Sequence, residues 1–133
     1  AADETGTFGA DIEEVADDFP RLHIVCGHGC YPYVREALVM ASRRDNVWLS
    51  PDSYFFHLGH EDWFRAVNLN LGGAAERFLF GSSYPLTPLK AFVDNFLRLD
   101  WKAEVLEKIL FRNALHALRL GEDPVYRNIY GAK

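Results

Sequence analysis

Residues Leu22–Cys30 read LHIVCGHGC. Leu22, Ile24, Val25 and Cys26 make a short apolar run, preceded by Pro20 and ended by Gly27, which is the pattern of a buried strand. His28 follows between two glycines, and Pro32 is expected to open a helix in its first turn. The stretch therefore reads strand, tight polar turn, helix, with His28 at the carboxyl end of the strand. In parallel α/β sheets that edge is where ligands and chemistry collect.

The same unit recurs outward from this stretch. Upstream, Ile12, Val15, Ala16 and Phe19 fall on one helical face that Pro20 stops. Downstream, Val34, Ala37, Leu38 and Ala41 give a second helical stripe, and Val47–Leu49 a second strand. A loop rich in polar and aromatic groups, Ser50–Gly59, leads to a helix marked by Trp63, Phe64, Val67 and Leu71 and broken at Gly72-Gly73. Phe78–Phe80 reads as a third strand, followed by Gly81-Ser82-Ser83-Tyr84-Pro85. Thr87 is expected to cap a helix that starts at Pro88 and faces inward through Leu89, Phe92, Val93, Phe96 and Leu97. A last helix runs from Trp101 towards Leu120, with Leu106, Ile109, Leu110, Ala114 and Leu118 inward. The remaining tail shows no period. Strands that alternate with helices imply a parallel sheet with right-handed crossovers.

Composition bounds what this chain can be. Its 133 residues are 49% hydrophobic and 25% charged, which fits one globular domain or part of a larger one. A single partial domain over 1–133 is expected, with a flexible stretch at 1–8, βα units over 9–120 and a tail at 121–133. A net charge of −5 argues against a nucleic-acid surface. No apolar run approaches the roughly 20 residues that span a bilayer, and no secretory leader is expected. Two cysteines four apart suggest a reducing, cytoplasmic setting rather than a disulfide framework.

Taken in order, LHIVCGHG, NVWLSPDSY, ERFLFGSSYPLTP and LEKILFRNALHALRL resemble the C-terminal part of the amidohydrolase-related (amidohydrolase 2) family. That family includes aminocarboxymuconate-semialdehyde decarboxylase-like enzymes. The resemblance implies a (β/α)₈ barrel around a divalent metal, usually zinc, with the strands here standing for the last three. It gives His28 a role on metal-bound water or substrate rather than as a main ligand. It also sets Ser83 where the family's run carries a metal-binding aspartate, while the family's other histidine ligands fall upstream of Ala1. A neutral hydroxyl is a poor substitute for a carboxylate on a dication, so no metal ligand is assigned with Ser83 in that place.

The implied activity is metal-assisted hydrolysis or non-oxidative decarboxylation of a small carboxylated or cyclic substrate, with His28 as general acid/base. The alternative is a non-catalytic subunit or assembly partner that kept the fold and lost the metal site. Three parallel strands cannot close a barrel of about eight, so another protein chain or a second copy is expected to cover the open sheet face.

Each candidate has a plainer reading beside it. His28 could serve only to hydrogen-bond its turn. Tyr54, His57 and Tyr84 are candidates for the substrate, against packing for the tyrosines and a loop or cap role for His57 and His60. Asp52, just past a strand end, could serve substrate or metal, or simply close an Asx-type turn. Cys26, His28 and Cys30 are too tightly spaced for an ordinary zinc knuckle. No phosphate loop, nucleophile elbow or dinucleotide fingerprint is present.

Overall fold

The computed structural model describes residues 10–130. The flexible stretch expected at 1–8, and the last residues of the tail, lie outside these described residues. In chain order the elements are α1 (Ala10–Asp18), β1 (Ile24–Gly27), α2 (Val34–Ser42), β2 (Val47–Ser50), α3 (His60–Asn68), α4 (Ala74–Arg77), α5 (Leu89–Leu97), α6 (Ala103–Glu107), α7 (Asn113–Ala117) and α8 (Pro124–Tyr130). Short 3₁₀ turns cover His28–Cys30 and Asp52–Phe56, and a π-type turn at Lys108–Arg112 joins α6 to α7.

β1 and β2 pair in parallel, Ile24 against Val47 through Gly27 against Ser50. The third strand expected at Phe78–Phe80 shrinks to one parallel bridge, Leu49 to Phe78. One ladder bond forms, Leu79 N–H donating to the Leu49 carbonyl at 2.8 Å, and the next would need an N–H from Pro51, which has none. Phe80 N–H, which faces the opposite edge, donates to the carbonyl of Ile109 at 3.0 Å. Ile109 lies in the wide π turn, where the ordinary i→i+4 ladder is interrupted and a carbonyl is free to accept from outside the helix.

In-register pairing puts alternate residues on opposite faces. Cys26, Val47, Leu49 and Phe78 join the main core with Val34, Ala37, Met40 and Ala41 of α2, Trp63 and Val67 of α3, and Phe92 and Phe96 of α5. Rings do much of the packing there, with Phe96 stacked on Trp101 at 5.0 Å and Phe55 edge-on to Phe96 at 5.2 Å. The other face carries Val25, Trp48 and Leu79, and it is not bare. Ala114 and Ala117 of α7 cover Trp48, which is fully buried, while Val25 remains 45% exposed.

Two buried asparagines staple strand entrances to helix ends. Asn46 Nδ2 reaches the carbonyls of Ala16, Phe19 and Leu22 at 3.0–3.2 Å. Asn113 Nδ2 reaches those of Ala75 at 2.6 Å and Phe78 at 2.8 Å.

Several local expectations change. Pro32 precedes α2 rather than sitting inside its first turn, behind a cis Tyr31–Pro32 bond. Pro88, not Thr87, holds the cap position of α5, and no side chain caps that helix. Val15, Phe19, Leu89, Leu97, Leu110 and Leu118, read as inward, are exposed. Phe19 and Leu118 lie just past the ends of their helices, and Leu89 and Leu97 are the first and last residues of α5. The tail that showed no period contains α8.

Candidate active site

The chain after β1, after β2 and after the Phe78 bridge each time reaches a left-handed backbone residue. His28, Asp52 and Ser83 have φ of 56°, 50° and 57°. Asp and His tolerate this region better than most residues, but it is sparsely used outside turns and functional sites. After β1 the reversal is extended, because Gly29 and Cys30 also have φ of 57° and 61°. Gly29 is required by space as well as by angle, since a Cβ there would meet Trp63 Cζ2 at 2.8 Å. The turn thus lies directly on the core.

Its geometry delivers His28 to Asp52. The carboxylate accepts the His28 backbone N–H at 3.1 Å and the imidazole Nδ1 at 2.9–3.0 Å. It also accepts Tyr54 N–H and the Ser53 hydroxyl, both at 3.3 Å. Burial pushes the Asp52 carboxyl up, but its hydrogen bonds from the His28 side chain and from the His28 and Tyr54 amides outweigh it. The net result lies below the ordinary carboxylate range. An ionised carboxylate can only accept, so Nδ1 carries the proton and Nε2 is left for another partner. The Asx-type turn read at Asp52 is present through Tyr54 N–H, and it also serves to hold the histidine.

Ser83 Oγ lies 3.1 Å from the Ser53 hydroxyl, whose single proton is shared between Asp52 and Ser83. An aromatic wall rises beside His28. Tyr54 packs on the imidazole at 4.5 Å, Tyr31 on Tyr54 at 4.8 Å, and His57 stacks on Tyr54 at 4.7 Å. His57 Nδ1 donates to the Ser53 carbonyl at 2.9 Å, while His60 turns to Glu61 at 3.2 Å, so the two histidines do not converge. Tyr84 is 69% exposed and has no part in the ring contacts that join His28, Tyr31, Tyr54 and His57. Tyr31 was not singled out by sequence; its place directly after the histidine turn was the available signal.

Cys26 lies in the core and Cys30 is partly buried beside it. Its hydrogen bond toward Cys30 and its burial push the Cys26 thiol up, and the same bond holds Cys30 below the usual thiol range against the opposing effect of burial. A cavity of about 740 Å³ lies elsewhere, between His23 and the segment from Arg112 to Tyr130. None of the residues singled out for chemistry lines it.

The donor set does not make a dication site by itself. Among the described residues, no group of three or more His, Cys, Asp or Glu side chains is placed to hold a metal ion. The Asp52 oxygens are occupied by hydrogen-bond donors, and Ser83 offers a neutral oxygen. No helix among the described residues is long and apolar enough to cross a membrane.

Parallel βα units with polar groups gathered at the strand exits define a segment of a parallel α/β fold. Residues 9–120 match the family described as Amidohydrolase, and the chain belongs to that family. It is also similar to the solved structure of an uncharacterized TIM-barrel protein from Bordetella bronchiseptica, at 44% identity and a TM-score of 0.74. That match covers 81% of this chain and 38% of the other, so the chain spans well under half the length of its structural relative. No curated protein matches it.

Proposed function

We propose that this chain supplies the C-terminal strand exits of an amidohydrolase-type catalytic pocket, with His28 as its general acid/base. One observation carries the reading. Asp52 binds both the backbone and the ring of His28, which fixes one tautomer and points Nε2 away from its anchor. Asp52 is then a positioning residue, and Tyr54, His57 and Tyr84 flank a small carboxylated or cyclic substrate beside the ring. In hydrolysis Nε2 takes a proton from the attacking water and returns it to the leaving group. In non-oxidative decarboxylation the protonated ring delivers a proton to the carbon that CO₂ leaves. Either role is worth about 10²–10⁴-fold.

The family is generally metal-dependent, but the donors of this chain do not hold a dication alone, and no step is assigned to one. The sequence motifs favour an aminocarboxymuconate-semialdehyde decarboxylase-like branch, with these units standing for the last three strands of the barrel. The exposed Val25 face then receives the remaining strands or a partner subunit. Two free thiols fit a reducing, cytoplasmic compartment. A second reading, a non-catalytic subunit, is favoured by Ser83, whose neutral hydroxyl is already engaged by Ser53.

The test is turnover by the longest native form of the protein, purified and assayed without chelator. A panel of aromatic and unsaturated cyclic carboxylates is followed for CO₂ release, and a panel of lactones and cyclic amides for ring opening. Saturable turnover of a panel member supports the catalytic reading. Inactivity across both panels, in a folded protein loaded with zinc or manganese, supports the subunit reading instead.

A further inference from the structure

We propose that Cys26 and Cys30 form a thiol pair that small disulfides of the glutathione class close reversibly into an intramolecular disulfide across the His28 turn. The inference is independent of the catalytic reading. Three consecutive left-handed residues, His28, Gly29 and Cys30, fold the chain back so that side chains four apart meet. The two thiols lie within hydrogen-bonding reach of each other, Cys26 buried and Cys30 partly so. Both border one apolar cavity of about 530 Å³, together with Ile12, Val25, Tyr31 and Tyr33. They are the only cysteines in the chain, so each is the other's sole intramolecular partner.

Their environments differ in the way exchange requires. Cys30 is partly exposed while Cys26 is buried, so Cys30 is the sulfur that a glutathione disulfide reaches and is the attacking one. It attacks one sulfur of oxidised glutathione and expels the first glutathione thiolate, which takes a proton from solvent. Cys26, buried and in contact, then loses its own proton and attacks the Cys30 sulfur of the mixed disulfide, expelling the second glutathione. The protein loses two protons and two electrons, and one oxidised glutathione becomes two reduced ones. The closed ring spans Gly27, His28 and Gly29, so oxidation changes the turn that presents the imidazole to Asp52 and Tyr54.

Tryptic cleavage after Arg21 and Arg35 places both cysteines in one peptide, Leu22–Arg35. The native protein is equilibrated in glutathione buffers of graded oxidised-to-reduced ratio, quenched in acid, alkylated with N-ethylmaleimide and digested. The expected product is this peptide, unalkylated and lighter by two hydrogens, replaced by the doubly alkylated form after dithiothreitol. Cys26→Ser is expected to stall with glutathione on Cys30. Should that variant fail to fold, native alkylation rates serve instead, with Cys30 reacting at least about tenfold faster than Cys26. The proposal is overturned if the wild type accumulates glutathione on Cys30 without closing, or joins two molecules. It is equally overturned if both thiols stay alkylatable in a buffer that oxidises the same chain in urea.

Discussion

Replacing Asp52 by Asn tests the anchor of the site through stability and its pH dependence. The wild-type carboxylate, 14% exposed, accepts the Nδ1–H and N–H of His28 and the N–H of Tyr54. A hydrogen bond to a charged acceptor contributes about 1.5–3 kcal/mol when well shielded. The His28 ring is 58% exposed, so solvent screens its share and about 1 kcal/mol per bond is the better figure. An amide oxygen can retain one of the backbone bonds, while its NH₂ cannot accept from His28. The expected loss is therefore about 1–2 kcal/mol at pH 7, a fall in melting temperature of roughly 4–8 °C at this chain length.

The sign with pH follows from the shift. Asp52 in the folded protein titrates below the ordinary aspartate value of 3.8. Its contribution is fully present above 3.8 and is lost as pH falls through the lower, folded value. Urea unfolding of wild type and Asp52→Asn at pH 7, 4 and 2.5 should show a gap that narrows only in the acid range. A variant as stable as wild type at pH 7 would refute the anchoring role, and so would a gap that is unchanged at pH 2.5.

Other outcomes follow from the same coordinates. Asn46→Ala and Asn113→Ala strand buried carbonyls and should each cost about 1–3 kcal/mol in denaturant melts, against near-neutrality if those bonds are incidental. Gly29→Ala, with a positive φ and Trp63 in the way, should cost about 1–3 kcal/mol. Gly27→Ala, which has extended backbone and no neighbour within 4 Å, should be neutral or slightly stabilising. With Phe19, Leu22, Val25 and Tyr33 all exposed along the β1 side, the chain produced alone should self-associate at micromolar concentration. Light scattering that gives a stable monomer of 15.2 kDa would contradict this.

The β1–turn–α2 unit was legible because its apolar run, glycines and helical stripe agree with one another. His28 was legible as a strand-exit residue for the same reason. The pairing of His28 with Asp52 was not, because it joins residues 24 apart through a run of left-handed backbone angles that periodicity does not encode. The third strand was overread. Phe78–Phe80 has a strand's composition, but the next ladder bond from β2 would have to come from residue 51, and Pro51 has no N–H to give. Asn46 looked like a turn residue and Asn113 like an ordinary helix position, since the carbonyls they satisfy lie 24 residues or more away. Tyr84 could be placed next to Ser83 by sequence, but its direction depended on a backbone geometry that sequence does not specify.

The central claim is that His28 performs proton transfer and is not merely part of its turn. The most direct measurement pairs kcat with melting temperature for wild type and His28→Asn, in the native form that turns over a substrate. The expected result is a melting temperature within a few degrees of wild type and kcat lowered by about 10²–10⁴-fold. A folded His28→Asn protein with undiminished kcat would contradict it.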